Sequence, residues 1–241
     1  MLEIWGIEHI LYLVICALIL IPLMIILKKK LKDDKQIEIM FRIIGLLGLI
    51  AIILNRVSSV IEEKNAWLLI PSSFCGMTSF LTAMGLLFYG KNNNIIQAVW
   101  LIGFIGMIST FAYPDFVEDY SNMFEFGCIT SFLHHTITLY ALISIFVFKY
   151  VYITIKKSWL QLAFGAVYIG TGFFLIFVGK VNHAFYLFNP AVSGTELYFA
   201  AMLPIYVAVY LVIVGTIEFV RYKKKNKNEN IVIENNKPEQ I

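Results

Sequence analysis

Seven stretches of apolar sequence, each long enough to cross a bilayer, decide what this chain can become. They lie at roughly 6–27, 40–61, 66–89, 94–113, 122–148, 158–180 and 196–220. A spanning helix needs about 20 mostly apolar residues, because each adds ~1.5 Å across a hydrocarbon core of ~30 Å. In water the chain has too little polar surface to cover itself. Of its 241 residues 59% are hydrophobic and 15% charged, with a mean hydropathy of +0.78, where an ordinary soluble domain is about 25% charged. The expected fold is all-α: a polytopic membrane protein built as a seven-transmembrane-helix bundle over residues 1–220. A polar tail at 221–241, poor in aromatics, is expected to be disordered.

Basic residues orient the bundle. Sixteen of the nineteen lysines and arginines fall where spans one and two, three and four, and five and six are joined, or after span seven. Only Arg56, Lys64 and Lys180 fall at the other end. By the positive-inside rule this places the N-terminus outside and the C-terminus in the cytoplasm, as a multi-pass protein of the cell membrane. An even number of spans would put the two main basic clusters on opposite sides. The chain opens with Glu3 and Glu8 instead of a basic region, and its first apolar run is long enough to span, so a cleaved signal peptide is not expected. Trp5 and Trp67 are expected at the outer boundary and Trp159 at the inner one. Ala166 and Gly170, four apart in span six, predict a face for close helix packing.

Polar residues are distributed unevenly over this topology. His9, His134, His135 and His183 all fall in the outer half or at its edge, with Glu8, Asn55, Arg56, Cys75, Asp115, Glu125 and Asn182. Polar groups inside spans are expensive unless they face one another or water, so their clustering marks a functional site. In span three Ser72, Cys75, Thr78, Ser79 and Thr82 recur every three or four residues, which places them on one helical face. Pro71 is expected to loosen that helix. Counted from Trp67 along a helix, Cys75 is about 13 Å deep. In span five Cys128, Ser131, His135 and Thr138 share a strip, flanked by Thr130 and His134. The adjacent histidines differ by ~100° around the helix, so only one points squarely at a shared pocket, and His135 is expected roughly 15–20 Å down. If spans three and five are neighbours, Cys75 and His135 lie at similar depth.

A thiol becomes a strong nucleophile once an imidazole takes its proton, and a Cys–His pair open to lipid accepts an acyl group as a thioester and passes it on. Cys75 and His135 are therefore the candidate catalytic residues. Ser72, Ser131, His134 and Asn182 are the candidate substrate-binding residues, with Ser72 or Asn182 supporting a developing oxyanion. Plainer readings stand beside these: buried cysteine often packs as a small hydrophobe, and a histidine in a span often only bonds across helices. Cys16, Cys75 and Cys128 are too few for a disulfide framework, and membrane depth disfavours a Cys75–Cys128 bridge. No CxxC, HxxH, HxxxH or ExxH pair fixes two metal ligands on adjacent turns, so no metal is expected. No phosphate-binding loop or dinucleotide fingerprint occurs, and no cofactor is expected. Membrane lipids are the expected partners, and nucleic acid is not.

Several segments resemble, in order, the YwaF family of bacterial integral membrane proteins. They are "LLIPSSFCGMTSFLTAMGLLFYGKN", "TFAYPDF", "SFLHHTITLYAL" and "VNHAFYLFNP", with Glu8-His9 at the opening. The resemblance covers residues 5–220. It implies a relationship to an animal multi-pass acyltransferase of ether phospholipids, with Cys75 at the acyl-accepting position and His135 at that of the base. Asn182 and Pro190 match the loop between spans six and seven. Ser73 and Gly76 stand where the family often has histidine and aspartate, His134 replaces a serine, and the aromatic stretch before the last span is not recognisable. The resemblance thus implies a lipid acyltransferase or remodelling enzyme. The alternatives are a non-enzymatic small-solute transporter, against which no inverted repeat or midplane helix break is visible, and a lipid-binding sensor or assembly factor.

Overall fold

The computed structural model describes residues 2–181, 184, 187 and 199–235, without the side chains of residues 115, 199–203 and 224–235. The described chain is helical: α1 (Ile7–Lys30), α2 (Asp34–Glu63), α3 (Phe74–Met84), α4 (Asn94–Ala112), α5 (Phe126–Val147), α6 (Trp159–Phe177) and α7 (Phe199–Asn235). Six of the seven are long and apolar enough to cross a membrane, and the third pass is a shorter apolar helix, Phe74–Tyr89. The all-α, multi-pass expectation holds.

The third pass departs from a continuous helix over 66–89. A single 3-10 turn occupies Ala66–Leu69, residues 70–73 run extended, and α3 begins only at Phe74 before widening into a π-helical turn at Gly85–Tyr89. The chemistry is local. Pro71 has no N–H to give to a helix, and Ser73 caps α3 by accepting the Gly76 N–H at 3.1 Å. Pro71 thus marks a helix start instead of a loosened turn within one. α7 also differs, continuing as helix to Asn235 where a disordered tail was expected. Lysine and glutamate are good helix formers, and neither glycine nor proline interrupts that segment.

α2 is the spine of the bundle. Its buried residues Phe41, Ile44, Gly48, Ile52, Asn55 and Ser58 repeat at three- and four-residue spacing, the stripe of a helix packed along its length. A Cβ added at Gly45 would stand 2.8 Å from the backbone nitrogen of Leu87, and one at Gly48 would meet Ala83 and Ile137 at 3.4 and 3.5 Å. α2 therefore crosses α3 almost backbone to backbone and touches α5 at the same level. Gly103 and Gly106 do the same for α4 against Thr78 and Cys75 of α3. The pair read as a packing face in span six meets no neighbour among the described residues: Ala166 and Gly170 are exposed, and nothing described lies within 4 Å of a Cβ at Gly170.

The connections meet at two ends. At one, Lys91 pairs with Asp34 at 3.2 Å, the Tyr152 N–H donates to Asn92 Oδ1 at 2.7 Å, and Arg221 reaches the Ile153 carbonyl at 2.6 Å. This is the lysine-rich end. At the other, the histidine end, Leu2 N–H donates to the Tyr120 carbonyl at 2.9 Å, and Asn65 donates to that of Gly179 at 3.0 Å. Contacts down α2 also give the direction of its neighbours. Ser131 of α5 bonds Asn55 and Gly76 of α3 faces Ile52, whereas Ile137 and Ala83 both face Gly48. α3 and α5 are thus both antiparallel to α2 and parallel to each other.

Candidate functional site

The depth of Cys75 cannot be counted along a helix from Trp67, because residues 70–73 are extended. It follows instead from α2. Gly76 is level with Ile52, and Ser131 with Asn55, so Cys75 sits about 15 Å below the end of α2 and His135 within about a turn of the same depth. α3 and α5 are neighbours, as the Ser79–His134 contact shows.

The two residues have different immediate partners. Cys75 is half-buried in the first turn of α3, with Sγ 3.4 Å from Thr110 Oγ1 on α4. His135 is buried, its Nδ1 2.6 Å from the Ser131 carbonyl oxygen and its ring stacked on Phe116 at 5.8 Å. A carbonyl only accepts, so Nδ1 of His135 carries the proton and Nε2 keeps its lone pair. The neighbouring ring of His134 lies 3.9 Å away, centroid to centroid. Thr138 donates to Ser79 Oγ at 2.9 Å, and Ser79 Oγ in turn bonds Nδ1 of His134 at 3.1 Å. His134, not His135, ties α5 to α3.

A buried polar chain continues from there to α2. Asn55 donates to Ser131 Oγ at 2.9 Å, and the Arg56 guanidinium bonds Asn55 Oδ1. Among the described residues no carboxylate stands within 4 Å of that guanidinium. Arg56 thus places a positive charge beside Asn55 and, through it, Ser131, within electrostatic reach of both imidazoles, while the Glu63 and Glu62 carboxylates act on it from farther off. On the flank towards α1, Tyr12 bonds Thr136 and stacks on Phe111 at 6.5 Å. His9 is almost fully buried, accepts the Trp5 N–H at 3.3 Å, and lies over Phe132.

Of the residues read from sequence, the structure gathers Ser131, His134 and His135 into this chain, and puts Cys75 on the neighbouring face of α3. Ser72 is half-buried in the extended run before α3. Asn182, His183 and Pro190 lie outside the described residues. Ser73 and Gly76, the departures from the resembling family, act here as one unit: hydroxyl cap and the amide it receives. A Cβ at Gly76 would stand 3.1 Å from Ser73 Oγ. Thr110 and Phe116 bound the segment "TFAYPDF" noted in the sequence, but the register of α4 and the placement of the turn after it, which bring them to Cys75 and His135, leave no mark in one sequence. Asn55 and Arg56 carried the signal of polar residues inside a span, but nothing in their spacing joined them to Ser131. No three His, Cys, Asp or Glu side chains converge to hold a metal among the described residues.

Outside the spans two groups shape this end. Burial and then the adjacent Glu62 carboxylate, 3.3 Å from its hydroxyl, push the Tyr120 phenol well above its ordinary range. Hydrogen bonds from the Ser121 hydroxyl and N–H hold the Glu125 carboxyl below its usual range just before α5.

Multiple apolar helices and a polar network enclosed among α2, α3 and α5 define an integral membrane protein with a buried polar site. The profile of the TMEM164 family matches residues 4–222, and the chain belongs to that family. No curated protein sequence and no solved structure matches it.

Proposed function

We propose that this protein is a lipid acyltransferase or remodelling enzyme of the cell membrane, with Cys75 the nucleophile and His135 the base. The lysine-rich end would face the cytoplasm and the histidine end the exoplasm, following the charge asymmetry. One observation carries the reading. A half-buried thiol in the first turn of α3 lies level with an imidazole whose Nδ1 is committed to a carbonyl, leaving Nε2 as its acceptor. The start of a helix favours negative charge developing on sulfur. The resemblance to YwaF proteins supports the same two residues.

In this reading the imidazole takes the thiol proton while sulfur attacks the ester carbonyl of a phospholipid. The tetrahedral intermediate collapses, the C–O bond to the lysolipid breaks, and the departing alkoxide recovers the proton. The thioester then meets the hydroxyl of an acceptor lysolipid, whose proton passes to the imidazole as the new ester forms. That proton returns to the thiolate on its release. Ser72, Ser131, His134 and Asn182 are the proposed substrate-binding residues, and Arg56 adds a fixed positive charge nearby.

The test is purified protein in nanodiscs with a radiolabelled acyl phospholipid. A hydroxylamine-sensitive acyl adduct that disappears in Cys75→Ser, and accumulates more slowly in His135→Asn, is expected. Adduct formation unchanged in Cys75→Ser would overturn the assignment.

A further inference from the structure

α1 stands apart from the bundle. None of its most apolar 18-residue window is buried, yet it is held at two levels: Tyr12 to Phe132 and Thr136 near the histidine end, and Ser144 to Met24 Sδ at 3.6 Å further along. Between those ties α1 and α5 do not close on each other. They leave an apolar cleft of about 460 Å³ that starts at Leu13 and Phe111 and runs to Ile25 and Ile143.

We infer that this cleft holds the acyl chain of a long-chain phospholipid, with its ester end towards the polar site. The inference rests on the acyl-transfer reading for the identity of that site, but the cleft stands on its own geometry. Three observations bear on the occupant. The walls are hydrocarbon apart from Cys16, Met24, Thr136 and Tyr140, and a cleft at this depth has only lipid tails to fill it, since an empty one forfeits its dispersion contacts. Next, the cleft begins where the site ends. Phe111 follows Thr110, which touches Cys75, and Thr136 follows His135. Tyr12 sits across that junction, bonded to Thr136 and stacked on Phe111. Third, the run from Leu13 to Ile25 is about 18 Å by the helical rise, more than half of a hydrocarbon core of ~30 Å. A chain held along it is long, and Ile25 and Ile143 line its far end.

The experiment uses a phosphatidylcholine carrying a diazirine near the end of one C16 chain, photolysed in nanodiscs containing the full chain, with labelled residues mapped by mass spectrometry. Label is expected on Leu20, Met24 and Tyr140, and equally in Cys75→Ser, since holding the chain needs no chemistry. Ala17→Phe on α1, or independently Leu139→Trp on α5, fills the cleft, and label there is expected to be lost. Ile19→Phe, on a lipid-facing position outside the cleft, is expected to leave it intact. Label spread evenly around α1 and indifferent to both filling variants would overturn the cleft while leaving acyl transfer standing. Cleft labelling without any Cys75-dependent acyl adduct would support the cleft and overturn the enzyme.

Discussion

Gly106 is where a single methyl group would meet the thiol. A Cβ there would stand 3.3 Å from the Cys75 sulfur, tighter than an ordinary contact, so Gly106→Ala is expected to push the thiol off its line. Misplacing a reacting atom by about 1 Å costs up to ~10²-fold in rate, and acyl-adduct formation in this variant should fall in that range while the melting temperature changes little. Glu125 offers a pH test. Its carboxyl is held low in the folded state by hydrogen bonds from Ser121 and then Asn122, so its contribution is fully present above the ordinary carboxylate range and is lost as the pH falls through the lowered value. The melting-temperature difference between wild type and Glu125→Gln should favour wild type at pH 7 and shrink towards zero on acidification.

At the level of elements, the turn after the third pass hangs on one side chain. Asn93 accepts the Ile96 N–H at 2.8 Å as the cap of α4, and donates to the carbonyls of Gly85 at 3.2 Å and Gly90 at 2.7 Å. It thereby satisfies carbonyls released where the helix ends. Asn93→Ala removes a cap and strands buried acceptors, and should cost about 2–4 kcal/mol in unfolding measurements. The crossing of α2 and α3 is equally exacting: Gly45→Val would drive a branched side chain into the Leu87 backbone, and overpacking of this kind costs typically 1–3 kcal/mol. These features show which parts of the fold were legible. Long apolar runs must become helices in a bilayer because every backbone group needs an internal partner, and the spans were readable on that ground. The break in the third was not, since Trp67, Leu68, Leu69 and Ile70 extend the apolar run across it. The glycines that pack were hidden for another reason. Spacing identifies small residues but not their neighbours, and Gly45, Gly48, Gly103 and Gly106 took the role that Ala166 and Gly170 were expected to play. In the site, residue types could be read, but not the depth of Cys75, which was counted from Trp67 across a stretch that is not helical, nor which of two adjacent imidazoles meets α3.

For the whole molecule, the gathering of lysines at one end makes orientation testable. In a cysteine-free background an impermeant maleimide applied to intact cells should label Ser121→Cys and spare Lys156→Cys, and the reverse pattern would turn the topology over. The same architecture has a bearing on the surroundings of Cys75. α2 runs 30 residues and α5 22, but the α-helical part of the third pass between them is only 11. Ahead of it in that pass come the 3-10 turn and the non-helical run of residues 66–73, with Leu68 and Pro71 buried, so the sulfur stands in the first turn of a helix. A thiol so placed feels the positive pole of its helix, whereas the same residue midway along an unbroken span would feel none.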